Sequence, residues 1–137
     1  MQKSKVVVFD LDDTLYKEVD FLKSAYHGIA DCLSSQYHIV DVYDEMYGAW
    51  LKGENAFSKI IEKYDLPIQT DDLLRMYREH RSLINLDEET CQTLVLISKT
   101  CTLGLITDGR SLTQRNKIAA LGLNQFIDNL NSAAIFL

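Results

Sequence analysis

Asp10 and Asp12 stand two residues apart, directly after the apolar run Val6-Val7-Val8-Phe9. Three of those four residues are β-branched, which reads as a buried strand of a parallel sheet. Residues two apart on an extended backbone point the same way. Both carboxylates can therefore face one ligand at the C-terminal end of the sheet, where open α/β folds bind their substrates. Two carboxylates held that close do not both ionise cheaply, so the pattern calls for a cation between them. An acidic loop capping the next helix is the bland alternative. It would explain one Asp or Thr, but not an apolar strand followed by Asp-x-Asp-x-Thr. Downstream, Leu105-Ile106-Thr107-Asp108-Gly109 ends an apolar run in a hydroxyl and turns through glycine. A threonine Oγ beside free backbone N–H groups at a helix start binds a phosphoryl group without a basic side chain. Alone, Thr-Asp-Gly is also a common turn.

The elements that must position these residues follow from periodicity. From about Val19 to Ser82 the pattern is helical nearly throughout. Phe21, Leu22, Ala25, Ile29 and Leu33 trace one stripe, and Tyr43, Met46, Tyr47 and Trp50 a second. Ala56, Phe57, Ile60 and Ile61 trace a third. The single proline, Pro67, stops that helix, and Thr70-Asp71-Asp72 offers an N-cap for a fourth. Asp87 to Lys99 reads as a further helix, Thr102–Thr107 as a second buried strand. A last helix through Arg115, Ile118 and Leu121 has Ser111 or Thr113 as candidate cap and Gly122 as its stop.

Composition limits the function classes. At 137 residues, 47% hydrophobic and 25% charged, the chain has the size and balance of a globular domain. A net charge of -6 without a basic patch argues against nucleic acid and acidic membranes as partners. Cys32, Cys91 and Cys101 form no Cys-x-x-Cys pair and read as reduced thiols. Lys3 and Lys5 lead straight into the first strand without an apolar leader, and no apolar run approaches about 18 residues, so the expected location is cytoplasmic. His27, His38 and His80 have no partners at metal-ligand spacing. Trp50 and the tyrosines of the helical region suit helix packing better than base stacking.

The run through Asp10, Asp12 and Thr14 resembles motif I of the haloacid dehalogenase-like superfamily, most of whose members are phosphatases. Thr107, Asp108 and Gly109 resemble motif II, and Gln114-x-x-Lys117-Ile118-x-x-Leu121-Gly122 resembles the helix that follows it. The resemblance implies an α/β fold with a Rossmann-like parallel sheet core, incomplete at the C-terminus, and an inserted α-helical cap subdomain. Residues 1–16 plus 85–137 would form the core and 17–84 the cap. By the same resemblance Asp10 is the nucleophile that carries an aspartyl-phosphate. Asp12 protonates the leaving oxygen and later deprotonates the attacking water. Thr14 shapes the loop. Thr107 binds the transferring phosphoryl group, with backbone contacts from Asp108 and Gly109. Mg²⁺ is the implied cofactor, held by Asp10 and by the backbone carbonyl of Asp12. The dehalogenase branch lacks the second Asp, so Asp12 favours phosphoryl chemistry. Lys17 and Glu18 fall where the family often contacts substrate, with a solvated turn as the equal alternative. Arg110, just past motif II, is an anion-contact candidate.

The chain also departs from that pattern. A phosphate-binding Lys, usually in Lys-Pro, and an acidic Gly-Asp-x-x-x-Asp motif are expected beyond Leu137, in about 60–80 further residues. The ending reads as truncated before motifs III and IV. Lys117, expected in the commoner role of a solvated helix lysine, is not a good substitute for the missing one. Without the strand of motif IV, Val6–Phe9 would be an exposed apolar edge open to self-association. The tail Ala133–Leu137 is suited to pair with an edge, in this chain or a second copy. Three functions stay open: a Mg²⁺-dependent phosphatase of small phosphorylated metabolites, a phosphotransferase or phosphomutase using the same residues, and a catalytically incomplete fragment that binds phosphate or a partner without turnover. A receiver-type domain is disfavoured, because it lacks a large helical insert after its first strand.

Overall fold

The computed structural model describes residues 3–128, 130 and 134–137 of the chain. Three strands, β1 (Lys5–Phe9), β2 (Cys101–Thr107) and β3 (Ala134–Phe136), form a parallel sheet in the order β1-β2-β3. Val6 pairs with Thr102 and Phe9 with Leu105, while Thr107 pairs with Phe136. Parallel pairing brings the C-terminal ends of all three strands to one edge, where Asp10 and Thr107 lie. The chain divides into two compact units, Met1–Phe21 with Arg81–Leu137, and Leu22–His80.

β2 is the central strand and is buried, with Leu103 at 3% and Leu105 at 0% exposure. Of the two expectations for β1, the buried strand is corrected and the exposed apolar edge is what the structure shows. Val6 is 65% and Val8 51% exposed, because among the described residues β1 has a partner, β2, on one side only. Apolar composition reports the kind of strand, not its place in the sheet. The tail expectation resolves within the chain: Ala134–Phe136 pairs with β2, and the Leu137 N–H donates to the Thr107 carbonyl at 2.9 Å. Ala133 lies outside the described residues.

Helices α1 (Glu18–Tyr37), α2 (Val42–Leu51), α3 (Ala56–Tyr64) and α4 (Thr70–Glu79) follow β1. Residues 22–80 have their own core, in which Leu22, Ile29, Leu33, Met46, Ile60 and Leu73 are buried together. Asn55 caps α3, its side chain accepting the Ser58 N–H at 3.1 Å. The cap of α4 falls one residue earlier than the sequence indicates. Gln69 is the N-cap, and Asp72 reaches back to its N–H at 2.9 Å. Tyr43, Tyr47 and Trp50 stack on one another, and His27 stacks on Tyr43 at 3.6 Å between ring centroids. His80 shares a 2.8 Å hydrogen bond with the Ser24 hydroxyl.

In the other unit, Asp87 caps α5 (Glu88–Ser98) by accepting the Thr90 N–H at 2.7 Å. α6 (Ser111–Ala120) begins directly after motif II, with Arg110 rather than Ser111 or Thr113 at its N-cap. Ser111 is already helical and accepts from the Arg115 guanidinium at 3.1 Å. Gly122, at φ +66°, supplies the left-handed residue that stops α6. Among the described residues, no helix is long and apolar enough to cross a membrane.

Candidate functional site

The chain leaves β1 at Asp10 and tightens at once into a single turn. The Leu11 carbonyl accepts the N–H groups of Thr14 at 3.3 Å and Leu15 at 3.0 Å. Asp13 takes a left-handed conformation at φ +58°, one that Asp tolerates better than most residues. Its carboxylate accepts the Glu18 N–H at 2.9 Å, at the start of α1. The helix-capping alternative therefore describes Asp13. It does not describe the two motif aspartates.

Asp10 is exposed, and its Oδ1 accepts the Leu11 N–H at 2.9 Å. Asp12 is half-buried and surrounded by donors. Its Oδ1 accepts from the Tyr16 hydroxyl at 2.5 Å and from the Lys117 ammonium at 2.8 Å, and its Oδ2 from the Gln114 amide at 2.8 Å. Gln114 Nε2 also lies 2.5 Å from Thr107 Oγ1. That one side chain joins the two motifs. Thr107, Gln114 and Lys117 are all buried. Thr14, Asp108, Gly109 and Arg110 are exposed around them. Gly109 sits at φ +125°, where a side chain would be strained, and an added Cβ would lie 3.2 Å from Gln114 Cδ.

Lys117 overturns the expectation of a solvated helix lysine. Its side chain is 5% exposed and paired with Asp12. The ammonium lies 4.6 Å from the Phe21 ring centroid and 5.9 Å from that of Tyr16. Lys117 thus supplies a countercharge at Asp12. Helical spacing holds the reason: 114, 117, 118 and 121 share one face, and that face carries the buried Ile118 and Leu121. Tyr16 and Gln114 are likewise site residues to which the sequence reading gave no role.

Burial alone would push the Asp12 carboxyl up, but the hydrogen bonds from Lys117, Tyr16 and Gln114 and the Lys117 charge outweigh it. The group is held below its ordinary value of 3.8. A folded pKa below the unfolded one means the native chain binds fewer protons. The stability that follows is fully present above about pH 4 and is lost as the pH falls through the folded value. Acid unfolding in EDTA, followed by circular dichroism, is expected to steepen in that window for the wild type and to flatten for Asp12→Asn. Identical acid profiles would contradict this electrostatic account.

Both side-chain oxygens of Asp12 are engaged by donors, which leaves its backbone carbonyl and the Asp10 carboxylate as hard oxygen ligands. Those two suit Mg²⁺ with most of its water shell retained, hence a weak site. Among the described residues, no three His, Cys, Asp or Glu side chains gather as a metal-binding group. Beside the motif I turn lies a cleft of about 430 Å³, bordered by Asp13, Thr14, Lys17, Asp20, Asn85 and Asp87. Three of those residues carry a carboxylate and one, Lys17, an ammonium.

A family model described as haloacid dehalogenase-like hydrolase matches residues 7–134. The glyceraldehyde 3-phosphate phosphatase of Methanocaldococcus jannaschii is 26% identical over 146 aligned residues, which cover 96% of this chain and 63% of that protein. A haloacid dehalogenase-like family hydrolase from Xanthomonas campestris is similar in structure, with a TM-score of 0.51 and 21% identity over 97% of this chain and 61% of that one. YfnB from Bacillus subtilis, provisionally described as a HAD-hydrolase and solved with magnesium, gives 0.53 and 19% over 98% and 63%. A protein from Thermotoga maritima, provisionally described as a beta-phosphoglucomutase, gives 0.60 and 18% over 96% and 61%. The structural likenesses establish the fold. The chain spans about 60% of the length of these relatives.

Proposed function

Because the chain belongs to the haloacid dehalogenase-like hydrolases, we propose that it acts as a phosphatase of small phosphorylated metabolites through an aspartyl-phosphate at Asp10. The observation that carries the reading is the linkage of the two motifs at one sheet edge. Asp12 and Thr107 share the Gln114 amide, while Asp10, exposed at the end of the adjacent strand, has no donor on it but the Leu11 N–H among the described residues. The phosphatase name of the Methanocaldococcus relative supports the same class of substrate. The division into a core of residues 1–16 plus 85–137 and a cap of 17–84 belongs to this proposal, as does Mg²⁺.

In this mechanism an Asp10 oxygen forms a bond to phosphorus as the bond to the leaving oxygen breaks, and water then releases inorganic phosphate. Mg²⁺, when bound through Asp10 and the Asp12 carbonyl, offsets charge on the phosphoryl group and the attacking carboxylate. Thr107 donates its hydroxyl hydrogen to a phosphoryl oxygen. Asp108 and Gly109 present backbone N–H groups, and Thr14 keeps the motif I turn in shape. Asp12, ionised beside Lys117, is set to take the proton of the attacking water. Protonating a leaving alkoxide would first require Asp12 to take up a proton against that ammonium. An aryl phosphate, whose leaving group departs without a proton, avoids the demand.

Hydrolysis of a generic aryl phosphate with Mg²⁺, against the same protein in EDTA, is therefore the direct test. Turnover that is lost in EDTA is expected. Folded protein that shows none in either condition would reject the phosphatase reading and leave binding without turnover in its place.

A further inference from the structure

We propose that Gln114 is a positioning residue that fixes the Thr107 hydroxyl as a donor, by giving one amide hydrogen to Asp12 and the other to Thr107. This rests on the phosphatase reading and adds to it a residue outside both motifs. A primary amide carries two N–H donors on nitrogen and only acceptors on oxygen. Gln114 Nε2 lies 2.8 Å from Asp12 Oδ2 and 2.5 Å from Thr107 Oγ1. Turning the amide over would set Oε1 against an ionised carboxylate, acceptor against acceptor. The Asp12 charge thus fixes which end of Gln114 faces inward. With both amide hydrogens committed, Thr107 Oγ1 receives one of them. Its own hydrogen is left to point elsewhere, and a hydroxyl that accepts a bond is a better donor for it.

Two further observations hold the amide in place. Gln114 is 2% exposed, so bulk water does not compete for its hydrogens. Gly109 passes so close that an added Cβ would lie 3.2 Å from Gln114 Cδ and 3.4 Å from Cγ. The glycine of the turn thereby leaves room for the carboxamide.

The test is a double-mutant cycle on the binding of inorganic phosphate, followed by ³¹P line broadening in the full chain with Mg²⁺. Gln114→Met keeps the length and removes both donors. It is expected to weaken phosphate binding about tenfold, Thr107→Val by a similar factor, and the two together no further. Gln114→Leu likewise lacks both donors and adds no charge. It is expected to lose a similar factor, and it serves where the methionine variant fails to fold. A wild-type affinity in either Gln114 variant, or losses that multiply in the double variant, would overturn the proposal. Phosphate that binds with the expected non-additivity, but without turnover in the wild type, would reject hydrolysis and uphold the role of Gln114. Wild-type protein that binds no phosphate would overturn both.

Discussion

Asp12→Asn is expected to destabilise the metal-free protein by about 3–4 kcal/mol, more than Lys117→Met does. The asymmetry comes from burial. The Lys117 side chain is 5% exposed and that of Asp12 20%, so removing the carboxylate strands an ammonium that water does not reach. Phe21 and Tyr16 offer it ring faces, but these do not replace a countercharge. The asparagine offers the Lys117 ammonium only a neutral amide, and Gln114 is then free to turn its carboxamide over. Lys117→Met leaves a carboxylate that still accepts from Tyr16 and Gln114 and retains some contact with water. Its expected cost is about 1–2 kcal/mol. The double variant is expected to be more stable than the sum of the two losses predicts, since neither charge is then left alone. Denaturant unfolding in EDTA, monitored by circular dichroism, measures all three. A larger loss from Lys117→Met than from Asp12→Asn would reverse the account and make the carboxylate the stranded partner.

That pair also marks the boundary of what the sequence makes legible. β1, β2 and the helices announce themselves through local patterns: β-branched runs, stripes at helical spacing, and Gly122 as a stop. None of these requires knowledge of the neighbours. The exposure of Val6 and Val8 is not in the run itself, since an apolar run is the same in an edge strand as in a central one. It follows only from asking which strands flank β1. Cap positions slip by about a residue for a related reason. Gln69 and Arg110 take the N-cap places although better cap formers stand just inside each helix, and helix entry is set by the loop's path as much as by side-chain preference.

The site divides along the same line. Asp10, Asp12 and Thr107 are readable because strand ends fix where their backbones lie. Gln114 and Lys117 act across more than 100 residues of sequence on Asp12, and that distance hides their role from any local pattern. A partial signal was present. A glutamine and a lysine on the same helical face as Ile118 and Leu121 are polar groups in a buried stripe, and buried polar groups need partners.

Asp10→Asn is expected to cut aryl-phosphate turnover by at least about 10³-fold while leaving the fold intact. Asp10 is exposed, and its one hydrogen bond among the described residues is accepted from the Leu11 N–H. An asparagine oxygen can accept the same bond. The stability change should then lie within about 0.5 kcal/mol, which separates this variant from Asp12→Asn. The amide cannot form the bond to phosphorus that begins the proposed reaction, and it removes one of the two oxygen ligands proposed for Mg²⁺. Asp10→Glu distinguishes these two losses. It keeps a carboxylate for the metal but displaces the nucleophilic oxygen by one methylene, where a misplacement of about 1 Å costs about 10²-fold. Metal-dependent phosphate binding with crippled turnover in Asp10→Glu, and neither in Asp10→Asn, would identify the residue as both ligand and nucleophile. Turnover that survives Asp10→Asn would remove the covalent intermediate from the mechanism and leave Asp12, ionised beside Lys117, to activate water for direct attack on phosphorus.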